Sequence, residues 1–356
     1  MRSGIPLLRG YSLPVVRVRF ICVIAPGLIR QAVWYWDILG YGLSCDNAAG
    51  QQRNTPRNNT MITAIRFLSW TLFLALASCI ANATAAATLA CPLTHDLSAC
   101  MEQVAAAGGG TLRLAPGTYF LNNSLILKSN VTLTGAGPTT VITWNPAIAR
   151  TVNAPLLTAT AIDHLAITDV KLVGTLDQRP DSQDLRTDQI GLFLNCAGDP
   201  TAGEKTGCND ITLNNVEVEN SSDGIHIKGA SHLRATDLKL HNNGNTQKDY
   251  FHNIYLRRVA DVRLIQTAKN RGGFYASPRG HGIRGSHLIN VYMSNLEIYD
   301  NADYGIHMDS VFNVRLHDLH LSHNCLSNKP GCVAIKCYGP QCDVNEHAPA
   351  EEDNAR

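Results

Sequence analysis

Asp210-Ile-Thr-Leu-Asn-Asn-Val-Glu-Val218, Asn290-Val-Tyr-Met-Ser-Asn-Leu-Glu-Ile298 and Asn313-Val-Arg-Leu-His-Asp-Leu-His-Leu321 are one phrase written three times. A turn-forming Asn or Asp opens it, an alternating apolar–polar run follows, a second turn interrupts, and a second run closes it. Alternation at period two marks a strand with one buried face. The phrase returns as Asn130-Val-Thr-Leu-Thr134, His164-Leu-Ala-Ile-Thr-Asp-Val-Lys-Leu172, His232-Leu-Arg-Ala-Thr-Asp-Leu-Lys-Leu240 and Asp261-Val-Arg-Leu264. Its leading apolar residues stand at 131, 165, 211, 233, 262, 291 and 314, at intervals of 34, 46, 22, 29, 29 and 23 residues. Helical repeats would show a period of about 3.6 residues. Short strands stacked coil on coil tolerate unequal intervals, because extra residues bulge out as loops. Asn220, Asn242, Asn243, Asn270, Asn301 and Asn324 follow the second strand of successive coils, and Asn accepts left-handed turn geometry.

Gly108-Gly-Gly-Thr-Leu-Arg-Leu-Ala-Pro-Gly-Thr-Tyr119, followed by Val131-Thr-Leu-Thr-Gly-Ala-Gly137, resembles the opening coils of the right-handed parallel β-helix, or pectin-lyase-like, superfamily. The resemblance covers residues 91–330. It implies an all-β chain, a right-handed parallel β-helix (β-solenoid) with a short N-terminal capping helix. Asp96 to Ala107 is expected to be that helix, shielding the open backbone edge at the end of the stack.

Residues 1–60 hold seven arginines, no lysine and no sustained period, and read as translation upstream of a true start at Met61, with a genuine long N-terminal extension as the alternative. Residues 61–85 read as a secretory signal peptide. Met61-Ile-Thr-Ala-Ile-Arg66 is basic, and Phe67–Ala77 is an eleven-residue apolar core, too short to span a bilayer. Ala81-Asn82-Ala83 and Ala83-Thr84-Ala85 offer small-residue cleavage sites. Leu76-Ala77-Ser78-Cys79 also resembles a bacterial lipoprotein box, which implies a lipid anchor at Cys79 as the alternative. The protein is therefore expected to be secreted or periplasmic, or an outer-surface lipoprotein, with no membrane span. The β-helix domain is expected over 86–342, with an acidic disordered tail over 343–356.

Eight cysteines beyond residue 85 fall in four close pairs: Cys91 with Cys100, Cys196 with Cys208, Cys325 with Cys332, and Cys337 with Cys342. Disulfides between these neighbours are the simplest of the many pairings that eight cysteines allow, and they fit an exported chain. A zinc site is the rival for the last four, but spacings of seven, five and five residues match no standard finger.

One strand of each later coil opens at Ile225, Ile254, Ile283 and Ile306. One residue on stand His226, Tyr255, Arg284 and His307, and three residues on stand Lys228, Arg257, Ser286 and Asp309. Two residues ahead lie Asp223, His252, His281 and Tyr304. Alternation turns the first two sets away from the isoleucines, and coils about 4.8 Å apart stack them into a band. Residues 221–290 carry eleven Lys/Arg against four Asp, and six of the thirteen histidines. The chain from residue 86 nevertheless carries 22 basic and 27 acidic residues. A basic patch on an acidic protein points to an anionic ligand. Outward positions on a solenoid are polar in any case, so the stack persuades more than any member of it. Nucleic acid is disfavoured, since the window lacks paired aromatic platforms.

Members of the superfamily mostly cleave or epimerise acidic polysaccharides, so the resemblance implies an acidic polysaccharide as partner. Gly280-His281-Gly282 is similar to the GHG element of polygalacturonase-type hydrolases, and Ser222-Asp223-Gly224 to their N-T-D element. Phe251-His252 replaces the paired aspartates of the intervening coil, and Gly305-Ile306-His307 replaces the Arg-Ile-Lys element. Inverting hydrolysis needs carboxyl groups about 6.5–9.5 Å apart. Asp223 and Asp309, the acids of the aligned columns, are separated by three coils, about 14 Å. β-Elimination asks instead for a base, a cation to neutralise the uronate and an acid for the leaving oxygen. The band offers His252 or His281 as base, Tyr255 as acid or shared acid/base, and Arg257, Arg284 and Lys228 as carboxylate clamps. His226, His307 and Asp223 complete the substrate-binding set. No acidic cluster marks a calcium site, so no cofactor is expected, with calcium left open. Asp223-Gly-Ile-His226 is also similar to the Asp-Pro-His element of alginate C5-epimerases, without its proline. A polysaccharide lyase is thus expected ahead of a polygalacturonase-like hydrolase or an epimerase. A non-catalytic adhesin or glycan-binding β-helix is the alternative from another class.

Overall fold

Each phrase is a strand bent at two corners, and the corners explain its turn residues. Asn130, His164, Asp210, His232, Asp261, Asn290 and Asn313 take left-handed backbone, with φ between 51° and 60°. Asp169, Asn215, Asp237, Asn295 and Asp318 do the same at the second corner, with φ of 48–56°. Asn, Asp and His are the non-glycine residues that most readily enter this region.

The computed structural model describes residues 87–344 apart from 178, 180–182, 245–250, 268–272, 279, 328–329 and 340–341. The expected upstream segment, signal peptide with Cys79, Asn270 and the tail beyond 344 lie outside the described residues. The strand ladders are parallel throughout. Ile211 pairs with Leu165 on one side and Leu233 on the other. Leu233 then pairs with Val262, Val262 with Val291 and Val291 with Val314. The apolar anchors of the phrase therefore stand in one file, and the chain is a parallel β-helix. Ala87–Cys91 pairs with Gly110–Leu114 at one end. Ile335–Tyr338 and Cys342–Val344 both pair with Ile306–His317 at the other, two residues past the expected domain end.

The inward files are apolar: Ile225, Ile227, Ile254, Leu256, Ile283, Ile306 and Met308 are fully buried. Each such side chain stabilises the stack by roughly 1.5–3 kcal/mol. One inward file is polar. Asn243, Asn253, Asn301 and Asn324 are buried at the turn that leads into the site strands. Asn243 Nδ2 donates to Val218 O at 2.8 Å and to Asn253 Oδ1 at 3.1 Å. Asn253 Nδ2 donates to Asn301 Oδ1 at 3.1 Å. Asn301 Nδ2 reaches Phe274 O at 2.8 Å and Asn324 Oδ1 at 2.9 Å. Buried amides paired in this way fix the backbone of the turn, because leaving any of them unmatched would be costly.

The expected N-terminal helix runs Leu97–Ala106, capped by Asp96, whose carboxylate accepts the Ser98 N–H at 3.1 Å. It buries Leu97, Met101 and Val104 and packs against Ala87–Cys91 and Gly110–Leu114. All four close cysteine pairs are bridged, with Cα separations of 6.0, 5.7, 5.7 and 6.4 Å, within disulfide range. That leaves no thiolates for the rival zinc site. Such a framework fits an oxidising compartment. Among the described residues no helix is long and apolar enough to cross a membrane.

Candidate active site

The strand registers stack the expected columns. His226 pairs with Tyr255, Tyr255 with Arg284 and Arg284 with His307. Lys228, Arg257, Ser286 and Asp309 follow the same registers. Both files continue beyond the residues expected from sequence, to Phe193 and Asn195 on the N-terminal side and to Lys336 and Tyr338 on the C-terminal side.

The turn residues sit deeper. Asp223, His252, His281 and Tyr304 are all buried, with no more than 5% of any of them exposed. Gly280 allows the turns to close up, since a Cβ there would stand 1.7 Å from the Phe251 carbonyl oxygen. The glycine of Gly280-His281-Gly282 thus has a packing reason within this chain.

Two Asp–His assemblies result. In the first, Asp223 Oδ2 lies 3.1 Å from His226 Nδ1, while its Oδ1 accepts the His252 backbone N–H at 2.7 Å. A carboxylate can only accept, so the shared proton belongs on His226 Nδ1, and in the neutral ring Nε2 is then the nitrogen that carries the lone pair. The His226 ring is flanked by Phe193 and Tyr255, with centroids at 5.0 and 4.7 Å. These residues line a cleft of about 440 Å³ together with Asp223, Phe251, Ile190 and Asp188. Neither His226 Nε2 nor the Tyr255 hydroxyl has a protein partner among the described residues.

In the second assembly every ring nitrogen of two histidines meets another protein group. His281 Nδ1 lies 3.5 Å from Asp303 Oδ2, and His281 Nε2 lies 3.3 Å from His307 Nδ1. His307 Nε2 lies 3.4 Å from Asp309 Oδ1. Arg284 is bound by Asp309, and its Nη1 donates to Gly285 O at 2.9 Å and His307 O at 3.2 Å. Burial, joined by Arg284, lowers the His307 pKa against the pull of Asp309.

His252 lies between the two. Its ring stacks on His281 with centroids 4.5 Å apart, and its Nδ1 accepts the His281 backbone N–H at 3.1 Å. Burial pushes its pKa down to about 3, with Asp223 opposing and Arg284 reinforcing. His252 is therefore a neutral, buried imidazole with its proton on Nε2.

Lys228 and Arg257 stand on the outer column with no carboxylate partner among the described residues. Two groups of ligand-type side chains lie elsewhere. Glu217, Glu219 and His241 converge, but the Lys171 ammonium fills the space between the carboxylates at 2.8 and 2.9 Å. Asp163, His164 and Asp210 are exposed at coil corners.

Sequence reasoning passed over Phe193, Asp303, Lys336 and Tyr338. The first and last two repeat the column offsets from Leu192 and Ile335, one coil beyond the aligned set on each side. Asp303 lay one residue from the chosen turn column, with no periodic signal to single it out.

No family model and no curated protein matches the chain. Among solved structures it is similar to the A-module of the mannuronan C-5 epimerase AlgE6 of Azotobacter vinelandii. That match has 16% identity over 68% of this chain and 74% of that one, with a TM-score of 0.34. It is also similar to the enzymatically active domain of tailspike protein 2 of bacteriophage CBA120. There the identity is 12% over 68% of this chain and 44% of that one, with a TM-score of 0.39. The catalytic domain of a GH87 alpha-1,3-glucanase matches at 13% identity over 72% of this chain and 51% of that one, with a TM-score of 0.35.

Proposed function

We propose that the protein is an exported polysaccharide lyase that cleaves a uronate-containing glycan by β-elimination in the cleft at His226. The observation that carries this is the Asp223–His226 pair, whose ring stands beside that of Tyr255 in the lining of one cleft. His226 takes the proton at C5, next to the uronate carboxylate. The electrons left by that C5–H bond form the C4–C5 double bond as the C4–O4 bond breaks, and Tyr255 delivers its proton to the leaving oxygen. Lys228 and Arg257, one coil apart, neutralise the carboxylate and so stabilise the carbanion that develops beside it. The base falls to His226 rather than to His252 or His281 because both of those rings are buried and tied to their neighbours. His252 holds the turn that presents Asp223, and Arg284 is already matched by Asp309. Four disulfides support an extracellular or periplasmic location.

The test is ultraviolet absorbance on a panel of pectate, alginate, hyaluronan and chondroitin. Only elimination creates the absorbing unsaturated uronate, so a rising signal on one glycan is expected. A flat trace on all four, with new reducing ends appearing, would replace elimination by hydrolysis. C5-epimerisation shares the proton-abstraction step at His226 and would appear as an altered uronate with no chain cleavage.

A further inference from the structure

The band reaches one coil past His307, two past Arg284, and its chemistry changes there. Lys336 stacks on His307, and Tyr338 stacks on Asp309. Lys336 Nζ donates to the Tyr304 hydroxyl at 3.1 Å and lies 5.0 Å from the Tyr304 ring centroid and 5.2 Å from that of Tyr338. Two aromatic faces and a hydroxyl thus fix an ammonium in one place. The Tyr304 and Tyr338 hydroxyls hold its pKa above the usual lysine value, so it stays charged wherever a uronate is ionised. Tyr338 is 54% exposed and offers a flat face beside the charge.

Charge compensation separates Lys336 from its neighbours. Arg284 is bound by Asp309, and Lys171 and Lys239 by Glu217. On the band, among the described residues, Lys228, Arg257 and Lys336 have no carboxylate in ion-pair contact. Lys336 stands three coils beyond Arg257 and four beyond Lys228, about 14 and 19 Å along the stack. A small anion could satisfy only one of these places. A chain bearing a carboxylate on many sugars satisfies both, with the neutralised Arg284–Asp309 pair beneath its middle.

We infer that Lys336 and Tyr338 form a distal carboxylate subsite, at which a polyuronate chain engaged at His226 is gripped again, so that long chains are preferred to short ones. This rests on the function proposed above. The experiment compares short and long size-fractionated oligouronates from pectate, alginate and hyaluronan, using native affinity electrophoresis for binding and absorbance for turnover. In wild type, long chains bind more tightly than short ones. Lys336→Gln is expected to cut that advantage about tenfold, the scale of one charge-assisted hydrogen bond. Lys336→Arg is expected to preserve it, which also guards against misfolding. An unchanged advantage in Lys336→Gln, or an equal loss on short and long chains, would overturn the subsite. If the advantage depends on Lys336 but no uronate proton is removed by any chain length, the subsite stands and the elimination chemistry falls.

Discussion

The two Asp–His assemblies share one edge of one stack, are built on equivalent turns, and have opposite availability. Asp223 and His226 use one ring nitrogen between them and leave the other facing a cleft. Asp303, His281, His307 and Asp309 form three successive contacts of 3.3–3.5 Å. Of these, the His281–His307 contact has hydrogen-bond geometry, and the two approaches to the aspartates are ion-pair distances. Burial and Arg284 discourage protonation of His307. A solenoid gives equivalent residues equivalent positions, but the coils above and below decide whether a group is free to act. His226 lies between Phe193 and Tyr255, which make no demand on its nitrogens, whereas His307 lies between Arg284 and Lys336.

The largest expected effect follows from that contrast. His226→Ala should lower turnover by about 10²–10⁴-fold, the usual contribution of a general base, with glycan affinity retained. Asp223→Asn should lower it in the same direction, because an amide can donate to Nδ1 and favour the wrong tautomer. His307→Ala should cost less than about tenfold, well below the general-base range. Similar losses at His226 and His307 in steady-state kinetics would erase the distinction.

Acid stability separates the buried ring from the open one. The folded-state pKa of His252 is depressed from 6.5 to about 3, so between those values the unfolded chain binds a proton that the folded chain refuses. Stability therefore falls as pH drops through that window, by about 1.4 kcal/mol per pH unit for one such proton. His307, also lowered, acts in the same direction. Urea unfolding of His252→Asn at a series of pH values should show a shallower slope than wild type. An identical slope would mean that His252 is not held neutral by the fold.

A third contrast concerns the cations. Arg257→Ala and Lys228→Ala should each raise KM about tenfold, consistent with losing one charge-assisted bond to a carboxylate. Arg284→Ala should act mainly on stability, since it takes from Asp309 its guanidinium partner without removing a free charge from the band. Thermal melts read beside KM for the three variants would show whether the compensated arginine behaves differently.

Much of this was legible in the sequence. The columns Ile225/Ile254/Ile283/Ile306 and His226/Tyr255/Arg284/His307 could be aligned because each coil restarts from the same left-handed corner and strand alternation does the rest. The four disulfides were legible because each closes a loop of at most twelve residues. Depth at the turn was not legible. His252 and His281 read as members of the band beside the outward columns, yet the asparagine file and Gly280 draw this turn inward. Nor could spacing reveal that Asp309 would claim Arg284, because compensation depends on rotamers across coils rather than on register.

The central claim is that His226 removes the proton at C5, and label loss from a C5-deuterated polyuronate measures that step directly. Wild type and His307→Ala should release deuterium, while His226→Ala should retain it. Release by His226→Ala at the wild-type rate, or cleavage of the glycan by wild type with the label still in place, would contradict the account.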